Sequence, residues 1–481
     1  MPGLFPRDDG RFFTACLLST VASRDRSYVA KRLSPGGPFI VRRILFESIL
    51  VLSQQDRRNH YRSHMAFRLS LRAAATIPVL CIMMLGGCIA ATQHHTDVTG
   101  SYQSHSGAQP KPAPGAPFVH PGLLHTESDF TRMRENVGAR RQPWFDGWQR
   151  LVANRHASLD WKPNPQPAIY RGRNPDHAEN YATLFNDAAA AYALALRWKI
   201  TGDDTYAQHA IEVLNAWSRT LTMIGGSSDK FLASGIYGYQ LANAGEILRT
   251  SPLWRADDFR RFQSMMLGVF YPMNDDFLAR HNGAKIDHYW ANWDLANMAS
   301  MLAIGVLTDR HDIYAQAVDY FKHGAGNGSI EHVVWKLYPD GLGQVQESGR
   351  DQGHTMLDIA LLGAFCQMAW SQGDDLYGYD DNRFLRAAEY AARYNLGKDV
   401  PYTQYTNSDV TQPVISPNSR GDGRPIWALV YNHYVVLKGL SAPDVEAFAR
   451  KVAPEGGGGD YGPNSGGFDQ LGYGTLTYTL K

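Results

Sequence analysis

The run His177-Ala178-Glu179-Asn180-Tyr181-Ala182-Thr183-Leu184-Phe185-Asn186-Asp187-Ala188-Ala189-Ala190-Ala191-Tyr192-Ala193-Leu194-Ala195-Leu196-Arg197-Trp198-Lys199, followed at once by Ile200-Thr201-Gly202-Asp203-Asp204-Thr205-Tyr206-Ala207-Gln208-His209-Ala210, decides the fold. Tyr181, Leu184, Phe185, Ala188, Tyr192, Ala195 and Leu196 recur at spacings of three and four, which puts them along one face of a helix. Gly202 and Asp203 end it, and a second helix starts at Asp204. The pattern then returns. Arg310-His311-Asp312-Ile313-Tyr314-Ala315-Gln316-Ala317 echoes the second helix, and Asp381-Asn382-Arg383-Phe384-Leu385-Arg386-Ala387-Ala388 does so more faintly. Each follows an Ala/Leu-rich helix and a polar turn. Helix-turn-helix units of this kind bury their apolar faces only by stacking on one another.

Working outward, helical periodicity predicts helices over 177–199, 204–220, 231–249, 256–280, 292–308, 312–323, 352–371 and 382–395. Irregular spacing of the repeat favours a closed (α/α) toroid, or incomplete barrel of helical hairpins, over a regular solenoid. The expectation is an all-α domain over 119–450 and a Gly-rich C-terminal segment over 451–481. A short C-terminal β element is expected at Thr475–Leu480, where Thr alternates with Leu and Tyr. Long loops mark the functional end of such a ring: residues 161–175, read as a mobile lid, then 281–290 and 324–349.

The part before the domain reads differently. Of the 47 Lys and Arg and 46 Asp and Glu, residues 1–87 hold 13 basic and five acidic, so a net charge of +1 hides a remainder near −7. From Met65 a basic stretch (Arg68, Arg72) precedes an uncharged run to Leu85 and then Leu85-Gly86-Gly87-Cys88. This is the layout of a secretory signal, and the run is too short to span a membrane. Leu-Gly-Gly-Cys resembles a bacterial lipobox, which makes Cys88 the lipidated first residue of an exported outer-membrane or periplasmic lipoprotein. Residues 1–64 are then an upstream extension, 65–87 the signal and 88–118 a Pro-rich tether. The lipid is the expected membrane contact, and the protein is expected to be a monomer. Balanced charge with 12% aromatic residues excludes a disordered chain and a nucleic-acid binder.

Three polar clusters open apolar helices. His288-Tyr289-Trp290-Ala291-Asn292-Trp293-Asp294 holds Asn292 at a helix start, where it can cap or meet an anion. Gly343-Gln344-Val345-Gln346-Glu347-Ser348-Gly349-Arg350-Asp351-Gln352-Gly353-His354 leads into the next, with Arg350 and His354 one turn apart, a pairing suited to holding a carboxylate beside a base. Arg420-Gly421-Asp422-Gly423-Arg424-Pro425-Ile426-Trp427 supplies two further cations.

The phrases Tyr289-Trp290-Ala291-Asn292-Trp293-Asp294-Leu295, Gln346 to His354 and Arg424-Pro425-Ile426-Trp427 resemble those of alginate-lyase-family polysaccharide lyases, over about residues 120–440. The resemblance implies an (α/α) toroid and metal-independent β-elimination, without a cofactor, on an anionic uronic-acid polysaccharide, alginate or glucuronan-like. In the better-known alginate lyases of this architecture an adjacent Asn and His act with an Arg and a Tyr from a later helix; here Trp293 follows Asn292, and His354 stands where the Tyr is expected. Elimination requires the carboxylate to be neutralised, the C5 proton removed and O4 protonated. Asn292 and Arg350 are assigned the first task and His354 the second. Tyr289 is first choice as acid and Tyr237 second. His281, Tyr237, Glu347, Arg171, Arg424 and Trp293 are expected to contact substrate, with Arg350, His354, Arg171 and Arg424 converging at one mouth of the ring. Three readings compete: a glycoside hydrolase using Asp340, Glu347 and Asp351, a non-catalytic glycan-binding lipoprotein, and, weakest, a zinc enzyme built on His281 and His288.

Overall fold

The computed structural model describes residues 116–461 and 468–481. The expected extension, signal, Cys88 and the tether to residue 115 lie outside them. Two helices, α1 (Glu127–Gly138) and α2 (Trp144–Ala153), precede five hairpins among the described residues. These are α3 (Ala182–Thr201) with α4 (Asp204–Thr220), then α5 (Lys230–Leu248) with the pair α6 (Ala256–Met265) and α7 (Tyr271–Arg280). Next come α8 (Ala291–Leu307) with α9 (His311–His323), the single turn α10 (Ile330–Val333), α11 (Gln352–Ser371) with α12 (Tyr379–Asn395), and α13 (Trp427–Tyr431) with α14 (Pro443–Val452). One last turn, α15 (Gly474–Thr477), closes the chain. The fold is an (α/α) toroid.

Why the hairpins turn where they do is local chemistry. Gly202 takes a left-handed conformation after α3, and the Asp203 carboxylate then accepts the Thr205 backbone N–H at 3.0 Å to cap α4. The first helix of each repeat lies inside. Every residue of α8 is buried, as are all of α5 but Lys230, which is what a helix apolar on all sides requires. The second helices α4, α9 and α12 are amphipathic, each burying one face against the inner helix of its own hairpin. At the α5–α8 crossing Gly235 lets the backbones touch; a Cβ there would stand 2.7 Å from the Ala296 carbonyl carbon.

The stretch 256–280 is not one regular helix. A π turn (Met266–Phe270) separates α6 from α7 just before Pro272, whose missing N–H leaves the regular ladder incomplete. Residues 161–175, expected as a mobile lid, are anchored. Strand β1 (Ala168–Arg171) pairs in parallel with β2 (Met223–Gly226), Ala168 opposite Met223 and Arg171 opposite Gly226. Asp187 of α3 accepts from Trp161 Nε1 and Asn164 N.

The C-terminal β element reduces to an isolated bridge between Gly457 and Gly472. Thr475–Leu480 does not form the expected edge strand; it turns helically, with the Thr477 and Thr479 hydroxyls donating to the carbonyls of Tyr473 and Thr475 four residues back. Local hydroxyl–carbonyl bonds of this kind compete with extended structure. The turn seats on α1 and α2, where Trp144 Nε1 donates to Thr479 O and Arg132 to Thr477 O. Among the described residues no helix is long and apolar enough to cross a membrane.

Candidate active site

A cleft of about 390 Å³ opens at one end of the ring. Leu232 and Ile236 of α5, Asn292 of α8, and Gly353, His354 and Leu357 of α11 line it. All belong to the first two turns of their helices or fewer, so the inner helices point their N-termini at the same space. Arg171, at the end of β1, and Arg424, just ahead of α13, complete the wall with Asp351 and Asp469.

The α11 side is built around a cap. Asp351 is the N-cap residue: one carboxylate oxygen accepts the His354 backbone N–H at 2.8 Å and the other the His354 ring Nδ1–H at 2.7 Å. Burial alone would raise the Asp351 carboxyl, yet the His354 bonds and the nearby Arg350 charge outweigh it and hold Asp351 below the usual carboxylate range. With Nδ1 donating to a carboxylate, the His354 lone pair sits on Nε2, and Arg350 Nη2 donates to it at 3.1 Å. Arg350 lies over the Trp290 ring, 5.0 Å from its centre, and its Nη1 donates to Glu347 at 2.7 Å.

Glu347, expected to touch substrate, is completely buried and works from behind. Its Oε1 accepts both the backbone N–H of Asn292, at 3.1 Å, and the Asn292 side-chain amide, while its Oε2 takes Arg350. One carboxylate thus fixes both proposed neutralisers. Gln346 does the same for the Ala291 N–H at 3.1 Å. The two polar clusters read separately in the sequence are joined by these bonds.

Arg171 and Arg424 stand on the other wall. Arg171 lies over Tyr181 and Tyr237, with its Nη1 donating to the Tyr237 hydroxyl at 3.3 Å. Burial pushes the Tyr237 phenol well above its ordinary value even though Arg171 opposes this. The β1–β2 pair fixes Arg171. Gly226 opposite it has φ of +118°, and a Cβ there would meet the Arg171 carbonyl oxygen. Arg424 is buried and donates to Gln470 at 2.7 Å, Asp469 at 3.3 Å and the Gly353 carbonyl at 3.2 Å, tying the C-terminal segment to the start of α11.

Three expected site residues lie elsewhere. The Tyr289 hydroxyl accepts from Asn282 Nδ2 at 3.0 Å, and its ring packs on Phe277 and Trp293, so Tyr289 and Trp293 belong to an aromatic cluster beside the cleft. His281 is buried with Asp294 at 2.9 Å and Tyr320 at 3.2 Å, and Asp294 also accepts the Gly328 N–H, so this group pins the loop after α9. The paired carboxylates of a hydrolase do not assemble from the three named acids: Glu347 is sealed in, and Asp340 is exposed in the turn between Lys336–Leu337 and Gly343–Gln344. His288 bonds to Asp409 on the surface, and no group of three His, Cys, Asp or Glu side chains among the described residues is arranged to hold a metal. Sequence reasoning missed the roles of Asp351, Trp290 and Asp469. Asp351, three residues before His354, carried a readable N-cap signal; Asp469 carried none.

The alginate lyase family matches residues 141–400. The fold is similar to that of an alginate lyase from Bacteroides ovatus, at 15% identity and a TM-score of 0.53, covering 76% of this chain and 100% of that one. Alginate lyase A1-III from Sphingomonas species A1 gives 14% identity and a TM-score of 0.51, covering 76% and 98%. No curated protein matches the chain.

Proposed function

The chain belongs to the alginate lyase family and is a polysaccharide lyase, and from that premise we propose that it cleaves a polyuronate, alginate or glucuronan-like, by β-elimination at the cleft bounded by Arg171, Asn292, His354 and Arg424. One observation carries the assignment of roles: Arg350 rests on the very nitrogen of His354 that would act as base. An incoming uronate carboxylate competes for the guanidinium and draws it from Nε2. His354 Nε2 then takes the C5 proton, electrons move into a C4–C5 double bond, and the C4–O4 bond breaks. Asn292 and Arg350 hold the carboxylate as it gains enolate character, by hydrogen bonds that strengthen as charge develops.

The departing O4 needs a proton. Of the two tyrosines considered, Tyr237 is the better supported donor. Its oxygen accepts from Arg171, which lines the cleft, and its own O–H remains to be given. Burial keeps the phenol protonated, so it has a proton to give and is not available as the base.

The test is a panel of polyuronates with product masses and the ultraviolet absorbance of the unsaturated ends. The expected result is absorbance from at least one polymer by the wild type and its loss in His354→Ala with helical circular dichroism intact. Polymer shortening without absorbance identifies a hydrolase, and binding without shortening a glycan-binding protein; each overturns the reading. The protein is further read as a monomeric, exported bacterial lipoprotein, anchored through Cys88 in the outer membrane or facing the periplasm. The support is the order of basic stretch, apolar run and Leu85-Gly86-Gly87-Cys88. Mass spectrometry of the mature N-terminus checks it: a diacylglyceryl adduct on Cys88 is expected, and an unmodified cysteine in a released protein sinks it.

A further inference from the structure

A buried acid next to Glu347 takes no part in the mechanism. Asp358 sits one turn below His354 on the same face of α11 and is completely buried. Neither of its carboxyl oxygens receives a hydrogen bond from any donor. Its neighbour is Glu347, and the charges of Arg350 and Asp351 are also close. Two carboxyls in contact inside a protein do not both ionise. Three donors, the Asn292 backbone and amide and Arg350, converge on Glu347, whereas none reaches Asp358. The charge therefore stays on Glu347 and the proton on Asp358. A buried protonated acid with no donor to accept has one hydrogen bond open to it, the one it gives.

We infer that Asp358 is a positioning residue: its protonated carboxyl donates to Glu347 and fixes the carboxylate that grips both Asn292 and Arg350. Burial, and after it the charge of Glu347, raises the Asp358 carboxyl far above the ordinary range, in agreement with this arrangement. The consequence lies in the moment of substrate binding. Arg350 leaves His354 for the substrate carboxylate, and a Glu347 free to rotate would follow it and partly cancel its charge. Held from behind, Glu347 stays with Asn292, and its negative charge is softened by the bond it accepts.

The inference rests on the lyase reading, and its test separates the two. Asp358→Asn keeps a donor toward Glu347 in nearly the same volume, and Asp358→Leu fills the space without one. Expected for Asp358→Asn is a kcat within about threefold of wild type; for Asp358→Leu, a kcat lower by about tenfold or more, with KM changed less and thermal stability undiminished. A purely structural role would instead move the melting temperature and spare kcat in the folded protein. The infrared difference spectrum of wild type minus Asp358→Asn at neutral pH is expected to show the carbonyl stretch of a protonated carboxylic acid, a readout that needs no substrate. Absence of that band, wild-type kinetics in Asp358→Leu, or equal losses in both variants would falsify the inference. If the wild type yields no unsaturated product from any polyuronate while the band is present, the lyase reading fails and the buried proton stands.

Discussion

Two of the imidazole–carboxylate pairs among the described residues lie at similar distances and behave differently. His354 meets Asp351 at 2.7 Å and His281 meets Asp294 at 2.9 Å. What separates them is access and orientation. The His354 side chain is 39% exposed, bonds its carboxylate through Nδ1, and turns Nε2 to Arg350 at the cleft; the His281 side chain is 3% exposed and spends Nε2 on Asp294 and Tyr320. A histidine beside an aspartate is therefore no sign of catalysis by itself. In the proposed mechanism His354 serves as the base because its second nitrogen is turned toward the cleft and meets Arg350 there.

The most direct way to break that contrast is to remove each imidazole. His354→Ala is expected to lower kcat by about a thousandfold, the middle of the range for losing a general base, or about 4 kcal/mol. His281→Ala in the same assay is expected to keep kcat within about threefold; a loss as large as that of His354→Ala would erase the distinction. Next comes the orienting carboxylate. Asp351→Asn removes the acceptor that fixes the His354 tautomer and is expected to cost about a hundredfold in kcat. Asp351 has a second, pH-dependent effect. Its folded-state pKa is depressed, so its contribution to stability is present above the ordinary carboxylate pKa and is lost as pH falls through the folded value. Denaturation midpoints from about pH 4 downward should accordingly fall less steeply in Asp351→Asn than in wild type. If the two curves run parallel, Asp351 is not held low by His354 and Arg350.

The buried pair should show itself in stability instead. His281→Ala leaves Asp294 with one partner fewer in the interior, and a loss of about 2 kcal/mol is expected from denaturant unfolding. An unchanged midpoint would mean that the loop after α9 does not depend on it. Smallest in kcat is the expected effect at the helix crossing. Gly235→Ala would bring a Cβ within 2.7 Å of the Ala296 backbone, so α5 and α8 must separate, and a stability loss of about 1–3 kcal/mol is expected with little change in kcat.

Most of the ring was legible because helices buried on one face repeat every three or four residues. Helices 204–220 and 352–371 match their expected bounds, and the other expected helices overlap observed ones. The strand pair was not legible: Ala168–Arg171 is four residues long and its partner begins more than fifty residues later, so no local alternation marks it. The same gap explains why residues 161–175 read as a free lid. In the site, Asn292, Arg350 and His354 stood out because polar residues there open apolar helices. The sequence could not tell that Glu347 faces inward, since burial is decided by what packs against it from α8. Asp358 went unread, a lone acid within the apolar helix run Leu357-Asp358-Ile359-Ala360-Leu361-Leu362. Tyr289 and Tyr237 differ by environment alone, in one case Asn282 and in the other Arg171.

The convergence of inner-helix N-termini has a consequence for electrostatics that the side chains do not reveal. The three arginines about the cleft each have carboxylates close by, Glu347 and Asp351 for Arg350, Asp469 for Arg424, and Asp229 and Asp469 near Arg171, so little free positive charge is left among them. Each helix, however, ends in aligned peptide dipoles worth roughly half a positive charge at its N-terminus. Pointed at one space, these partial charges add a positive field that belongs to the backbone and offsets part of the negative charge of Glu347 and Asp351, which accept N–H groups at the starts of α8 and α11. In a chain whose residues after 87 carry a net charge near −7, that local offset favours a polyanion at the cleft over the rest of the surface. Because the field's sources lie within the fold, salt screens it less than it would screen exposed lysines.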